Sequence, residues 1–168
     1  MVKPLVISIS GPTNSGKTTI SKLVAKELKA AHVEGDAVRW FMPYLENKIA
    51  WPITHDALTE LVKVFLKNEV DSIVVDYVLT DDERRQLEKR LQPTDALIVF
   101  IVLAPRREKL LADTPDRTLQ ESWRRRIDEQ LALGLHQSEI GLVIDNTDQN
   151  PEQTKNQIIN YISENYGG

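Results

Sequence analysis

The sequence predicts an α/β protein in which five short strands form a parallel sheet with helices on both faces. Short runs rich in β-branched residues alternate along the chain with longer amphipathic stretches. Strand–helix alternation of this kind uses right-handed crossover connections, which make neighbouring strands parallel. In addition, residues 97–103 are almost entirely apolar, as expected of a strand that helices cover on both faces.

The first two predicted strands flank an amphipathic helix. Residues 5–9 and 32–34 have the composition of short strands. Between them, residues 17–30 place four apolar side chains on one stripe of a helix: Ile20, Leu23, Val24 and Leu28.

The next segment has helical patterns but no predicted strand. Helices are expected over residues 36–45, ending near Pro43, and over residues 54–67. Because no strand pattern occurs between them, we expect residues 36–70, approximately, to form a cap over one edge of the sheet.

The second half of the chain supplies the remaining strands, at residues 72–76, 97–103 and 141–145. Thr80 and Glu83 form a capping-box pattern at the start of one helix, and Thr118 and Glu121 repeat it at another. Pro105 is expected at a first helical position. The last two helices are predicted to end near residues 135 and 161.

The composition is that of a single globular domain over residues 1–168. The chain has no cysteine, which excludes disulfides, thiol nucleophiles and cysteine-ligated metal sites. A net charge of −4 and a pI of about 5.4 argue against binding nucleic acid by bulk charge. The longest apolar run, residues 96–104, is too short for a bilayer span of about 20 residues. Without a signal-peptide pattern, we expect a cytoplasmic monomer or homodimer with no membrane or nucleic-acid partner.

A phosphate-binding loop is the strongest motif in the chain. Residues 11–18, Gly-Pro-Thr-Asn-Ser-Gly-Lys-Thr, fit the pattern G-x-x-x-x-G-K-[ST] between a predicted strand and a predicted helix. Glycines let the backbone wrap an anion, and N–H groups at the helix N-terminus point at the phosphates. Lys17 is expected to reach the β- and γ-phosphate oxygens, and Thr18 to ligate Mg²⁺. The predicted nucleotide-binding residues here are Gly11, Asn14, Ser15, Gly16, Lys17, Thr18 and Thr19.

An acidic residue follows the second predicted strand, at the sheet edge where ligands bind in doubly wound folds. Asp36 is placed there to accept a hydroxyl proton or to orient an acceptor. Arg39, one helical turn later, could bind an anionic acceptor. The alternative is that Asp36 only caps the helix and pairs with Arg39.

A second acidic residue, Asp76, ends the apolar strand at residues 72–76. This arrangement resembles a Walker-B strand end, which holds Mg²⁺ directly or through water. The alternative is a polar turn residue at the end of the strand.

Four arginines lie close together in an otherwise acidic chain: Arg117, Arg124, Arg125 and Arg126. Such positive charge can stabilise a transferring phosphoryl group. Since three adjacent arginines cannot share one helix face, at least one of the triplet has no catalytic role. We favour Arg117 as the catalytic and nucleotide-binding arginine. The alternative is a solvated helix face that pairs with Asp128 and Glu129.

Other polar and aromatic residues carry weaker signals. Asn146, in the loop after the last strand, could contact the nucleotide base or simply form a turn. The three histidines are far apart in sequence and lack metal-ligand spacing, so we expect structural or surface roles. A cluster of apolar, mostly aromatic residues lies beside Arg39 in the sequence: Trp40, Phe41, Met42, Tyr44 and Trp51. We expect it to belong to the hydrophobic core, and the alternative is that it lines an acceptor pocket.

Together these segments resemble the small P-loop kinases, which include adenylate, shikimate, gluconate and adenylylsulfate kinases and chloramphenicol phosphotransferase. The resemblance covers nearly the whole chain, from residues 11–18 through 35–39 and the arginine segment to residues 144–147. It implies a P-loop NTPase fold with sheet order 2-3-1-4-5, MgATP as donor and a small lid at about residues 113–126. The Gly-Asp-x-x-Arg segment is similar to the acceptor segment of adenylylsulfate kinase, and the chloramphenicol enzyme has its proposed base, an Asp, at this place.

The acceptor stays open, because residues 41–65 match none of the acceptor domains of these kinases. The first hypothesis is an ATP-dependent kinase acting on a hydroxyl of a small metabolite or antibiotic. In it, Asp36 is the base, Lys17 and Arg117 stabilise charge, and Thr18 and Asp76 serve Mg²⁺. The alternatives are a nucleoside or nucleotide kinase, and a nucleotide-dependent switch without an acceptor.

Overall fold

The five strands form one parallel sheet. They are β1 (Leu5–Ser10), β2 (Ala31–Glu34), β3 (Ser72–Asp76), β4 (Leu97–Leu103) and β5 (Leu142–Ile144). In the computed structural model, which describes residues 3–113 and 118–166, their order is β2-β3-β1-β4-β5. All four pairings are parallel, so the carboxyl ends of the strands lie at one edge. The predicted fold class and strand order are confirmed.

Helices cover both faces of this sheet. They are α1 (Lys17–Leu28), α2 (Gly35–Trp40), α3 (Asn47–Lys67), α4 (Asp81–Leu91), α5 (Arg107–Leu110), α6 (Glu121–Ala132) and α7 (Pro151–Tyr166). On one face, Val24 of α1 and Ile158 of α7 are buried against the strands. On the other, Leu58 of α3 and Leu91 of α4 are buried. Within the residues described, no helix is long and apolar enough to cross a membrane.

The first turns of α3 include a proline that the sequence interpretation places before the helix. That helix is predicted from residue 54, but α3 begins at Asn47 and contains Pro52. Because proline has no N–H, only the carbonyl of Lys48, four residues earlier, lacks its helical donor. Lys48 is exposed, so water can bond to that carbonyl. The added turns bring Trp51 against the apolar cluster of this face.

Several helix ends also differ from the prediction. The first cap helix, α2, ends at Trp40 instead of near Pro43. The last helix, α7, continues to Tyr166, five residues beyond its predicted end. Pro105 is not the first helical residue, because α5 begins at Arg107, after an extended Arg106 whose N–H donates to Thr147 Oγ1 at 2.7 Å.

The two capping-box patterns have different outcomes. At α4, the Thr80 hydroxyl accepts from the Glu83 N–H at 3.3 Å, and the Glu83 carboxylate accepts from the Thr80 N–H at 2.7 Å. At α6, the N-cap is Gln120, and no side chain caps the helix. The Leu119 N–H donates to Asp113 Oδ1 at 2.8 Å. The prediction at Thr118 is therefore wrong, because α6 begins at Glu121, two residues later than a cap at Thr118 requires.

This contrast predicts that two threonine substitutions lower the free energy of unfolding by different amounts. Thr80→Ala should lower the free energy of unfolding by about 1 kcal/mol, because two N-terminal N–H groups lose their bonding arrangement. Thr118→Ala, at an exposed threonine that caps nothing, should change it by less than about 0.5 kcal/mol. Urea denaturation followed by circular dichroism measures both. Equal losses in the two variants would contradict the assignment of the cap.

Candidate active site

The loop between β1 and α1 has the conformation that its glycines predict. Gly11 has a φ of +140°, and a Cβ there would lie 2.3 Å from the carbonyl oxygen of Leu103 in β4. Gly16 has a φ of +91° and is the N-cap of α1. Glycine suits both positions, because it allows the close approach at Gly11 and the positive φ at Gly11 and Gly16. The helix consequently begins at Lys17, with its free N–H groups directed into the loop.

Two contacts hold this loop against the segments that flank the predicted lid. The backbone N–H of Thr13 donates to Oε1 of Gln130 at 2.6 Å, and Gln130 is buried on α6. The Asn14 side-chain amide donates to the carbonyl of Leu110 at 2.8 Å, at the end of α5. Sequence reasoning did not find Gln130, since no motif contains it.

A third contact joins the loop to the end of β5. The Asn146 amide donates to the carbonyl of Ser15 at 3.0 Å, and Asn146 is buried. Asn146 and Asn14 were expected to bind nucleotide, and both line the cleft described next. Their amide nitrogens serve to position the loop.

A cleft of about 1090 Å³ opens at the carboxyl edge of the sheet, in front of this loop. It is lined by the loop and by residues from α2, α5, α6, α7 and the segment after β3. The predicted site residues that it brings together are Asn14, Ser15, Gly16, Lys17, Thr18, Thr19, Asp36, Arg39 and Asn146. Gly11 and Asp76 are not part of its lining, and Arg117 lies outside the described residues.

Lys17 is the cation at the centre of the loop. Its Nζ donates to the carbonyl of Pro12 at 2.8 Å. Burial lowers the pKa of Lys17 to about 8, and the positive charge of Arg126 acts in the same direction, whereas the charges of Asp36 and Asp76 oppose it. A lysine in this environment gains from an added phosphate charge, which would restore its full protonation.

Asp36 is free to act in the cleft. It is exposed in the first turn of α2, and its carboxylate has no hydrogen bond or ion pair with any residue in 3–113 or 118–166. Its position depends on Gly35, where a Cβ would lie 2.3 Å from the ring of Tyr77. The expected alternative, in which Asp36 caps α2 and pairs with Arg39, is not found, because no side chain caps this helix.

Arg39 lies at the cleft but already has partners. Its guanidinium donates to the carbonyl of Met42, to the carbonyl of Leu45 at 3.0 Å and to Oδ1 of Asn47 at 3.2 Å. These bonds close the loop between α2 and α3. Arg39 therefore supports the cap as well as contributing positive charge to the cleft.

Most of the aromatic cluster beside Arg39 lies outside the core. Phe41 is 86% exposed and Tyr44 is 97% exposed. Trp40, although 71% exposed, lines the cleft together with Trp51. The favoured interpretation of this cluster as core is wrong for Trp40, Phe41 and Tyr44, because α2 ends at Trp40 and the following loop turns towards solvent, whereas Trp51 on α3 packs against the apolar cluster.

Asp76 is buried behind the loop. It is 3% exposed, and within the described residues its Oδ2 has no hydrogen-bond partner. The Nε2 atom of His32, on β2, lies 3.5 Å from this oxygen and likewise has no hydrogen-bond partner among the described residues. A buried carboxylate oxygen without a donor needs a partner, and a Mg²⁺ ion or its bound water meets that need. Together with Thr18 in the cleft, Asp76 therefore fits the expected metal.

The three adjacent arginines of α6 have separate surroundings. Arg124 donates to the carbonyl of Leu111 at 3.0 Å. Arg125 points to Glu129 on the exposed side of the helix, at 3.8 Å. Arg126 alone of the three lines the cleft, where its charge acts on Lys17. The sequence could not choose among them, because the choice depends on which side of α6 is buried.

The cleft is positively charged. The residues that line it include Lys17, Lys109 and Arg126 in addition to Arg39, and Asp36 is its one acidic residue among those described. Lys109, on α5, also donates to the carbonyl of Thr147 at 2.5 Å and belongs to no motif that the sequence analysis identified. An excess of positive charge at a helix N-terminus suits a polyphosphate.

Comparisons with solved structures support the fold. A gluconokinase from Sinorhizobium meliloti 1021 superposes with a TM-score of 0.70 at 16% identity, over 99% of this chain and 96% of that one. An unliganded sugar kinase from Janibacter sp. HTCC2649 gives a TM-score of 0.70 at 21% identity, over 98% and 97% of the two chains. Similarity at this level of identity establishes the fold alone.

Sequence comparison adds a relative and a family. A cytidylate kinase from Listeria innocua is 32% identical over 93 residues, which is 52% of this chain. The match spans only 42% of the length of that kinase. Residues 6–137 match the AAA_33 family model, described as an AAA domain, and these residues are most of the chain. The chain therefore belongs to this family, and it has the phosphate loop and the sheet order that its resemblance to the small P-loop kinases predicts.

Proposed function

We propose that the protein is a small-molecule kinase that transfers the γ-phosphoryl group of ATP to a hydroxyl of its acceptor. The observation that carries this proposal is the free carboxylate of Asp36, in the same positively charged cleft as the phosphate loop. A nucleotide-binding switch has no acceptor and needs no free carboxylate to bind one. A kinase needs a group that orients a nucleophile and takes its proton.

In the proposed reaction the acceptor hydroxyl lies against Asp36. The hydroxyl oxygen forms a bond to the γ-phosphorus, the bond from that phosphorus to the bridging oxygen breaks, and ADP leaves with its electrons. The hydroxyl proton moves to the Asp36 carboxylate. The backbone N–H groups of residues 16–19, at the N-terminus of α1, and the Lys17 ammonium hold the β- and γ-phosphates.

Magnesium would neutralise charge on the β- and γ-phosphates when bound. Thr18 and Asp76 are the residues that would hold it. No group of three or more acidic or histidine side chains suited to a metal occurs in the described part of the chain. Few protein ligands are normal for Mg²⁺ bound with a nucleotide, because the phosphates and water fill most positions.

Arg126 is the proposed stabiliser of the transferring phosphoryl group. It faces the cleft, and its charge acts on Lys17. Arg117 remains a proposal for a second cation that approaches from the lid. Lid closure over the phosphates would exclude water and limit hydrolysis.

A second candidate acceptor is a nucleotide. The similarity to cytidylate kinase favours it, although the match covers less than half of that protein. Incubation with γ-labelled ATP, a pool of hydroxylated metabolites and a separate set of nucleoside monophosphates distinguishes the candidates by the labelled product. ATP binding without transfer to any acceptor would favour the nucleotide-dependent switch.

Asp36→Asn tests the proposed base. The variant keeps the shape and one acceptor oxygen of the side chain but removes its charge and basicity. Phosphorylation of the acceptor should fall by at least about 100-fold, and MgATP affinity should stay within a few-fold. Steady-state kinetics and calorimetry measure the two quantities. A loss of MgATP affinity instead would assign Asp36 to the metal or the nucleotide.

Arg126→Ala and Arg125→Ala form a matched pair. Arg126→Ala should lower kcat more than MgATP affinity, by about 10- to 1,000-fold, because its charge matters most in the transition state. Arg125→Ala should leave both unchanged within about twofold, since Arg125 faces solvent and Glu129. Equal effects of the two substitutions on kcat would show that Arg126 has no specific role.

The lowered pKa of Lys17 predicts a pH dependence of nucleotide binding. Above pH 8 the free protein has lost the Lys17 proton, so binding a phosphate must take it up again. MgATP affinity should therefore fall by up to about tenfold per pH unit above 8. Calorimetry between pH 7 and 9.5 measures this slope. The Lys17→Met variant should bind MgATP weakly and should show no pH dependence of that binding. A wild-type MgATP affinity that does not change with pH would contradict the assignment of this pH dependence to Lys17.

A further inference from the structure

A second cavity lies between α3 and α4, next to the cleft. Its volume is about 230 Å³. The apolar residues that line it come from α3, α4, β3 and the segment after β3: Leu58, Val62, Val75, Leu79 and Leu87. The exposed residues of its lining, Pro52, Asp56 and Gln86, all belong to the two helices. The mouth of the cavity therefore lies between α3 and α4.

The size of the cavity corresponds to a small ring compound. Protein interiors are close-packed, and voids larger than a water molecule are few. An apolar cavity of about 150 Å³ stays dry and binds benzene. A volume of 230 Å³ thus has room for one ring or two fused rings.

One end of the cavity is a wall of three aromatic rings. The ring centroids of Trp51, His55 and Tyr77 lie 5.3 to 5.5 Å apart. Trp51 Nε1 donates to Oε1 of Glu83 at 2.6 Å, and His55 Nδ1 lies 3.2 Å from the same oxygen. Because Glu83 also closes the capping box of α4, the rings are fixed before any ligand arrives. Fixed aromatic edges and faces favour contact with another ring.

The charges around this cavity differ from those of the cleft. Asp56 and Glu83 line it, and the one cation of its lining in the described chain, Arg90, is already paired with Asp56 at 2.5 Å. Burial lowers the pKa of His55, although the charge of Glu83 opposes this shift. An anion would meet uncompensated negative charge here, whereas the cleft attracts anions through Lys17. The two spaces therefore select different ligands.

We propose that the cavity between α3 and α4 is a second small-molecule site, which binds an uncharged compound of one ring or two fused rings. Trp51 and Tyr77 line both the cavity and the cleft, so an occupant contacts the back of the cleft wall. The site is separate from the phosphate loop and does not depend on the proposed kinase activity.

Indole is a suitable probe, because it is neutral, has two fused rings and needs no turnover for detection. Calorimetry of the wild-type chain should show saturable binding of one indole per protein, with a Kd of about 1 mM or tighter. Indole-3-carboxylate should bind at least about tenfold more weakly, because of its charge. Binding of indole should persist at saturating MgATP. Proportional displacement of indole by increasing MgATP would place it in the cleft and overturn the proposal, as would the absence of saturable binding.

Two tryptophan substitutions on α4 locate the site. Gln86→Trp adds a bulky side chain at the exposed mouth and should weaken indole binding at least about tenfold. Glu88→Trp is the matched control, since Glu88 is exposed on the same helix but does not line the cavity, and it should leave the Kd unchanged. Thermal denaturation verifies that both variants fold. Equal Kd values for the two folded variants would overturn the assignment of the cavity.

Discussion

The cleft depends on how the loop at residues 11–18 is held. Three side-chain amide groups position this loop. Gln130 accepts from the backbone N–H of Thr13, Asn14 donates towards α5, and Asn146 donates from the end of β5. Side chains thus bond to the Thr13 N–H and the Ser15 carbonyl of the loop. The N–H groups at the start of α1 stay available to bind an anion.

The same anchoring determines which arginine of α6 faces the cleft. Gln130 and Arg126 are four residues apart on α6, so they lie on one face of that helix. When Gln130 is buried against the loop, Arg126 must project into the cleft. The adjacent Arg125 is then turned to solvent, where Glu129 is its partner. Structural support of the loop and placement of the cation are therefore consequences of a single helix orientation.

Local patterns in the sequence predicted the features that local contacts determine. The phosphate loop, the parallel alternation and the Thr80 cap all depend on residues a few positions apart, and the structure has each of them. The sequence could not predict that α6 would begin at Glu121 with Gln120 as its N-cap, so that Thr118 caps nothing. It also could not choose Arg126, because that choice depends on which face of α6 packs against the phosphate loop, and the contact that fixes it joins residues 117 positions apart.

Glu83 makes both a local contact and a contact with a distant part of the chain. Its position three residues after Thr80 predicts a capping box, and the structure has that capping box. Its other carboxylate oxygen accepts from Trp51 on α3, 32 residues earlier, which no local pattern indicates. This bond ties α3 to the start of α4 and fixes the rings that stand between the cleft and the apolar cavity. The cationic cleft and the cavity between α3 and α4 therefore share a wall, and a single carboxylate holds that wall in place.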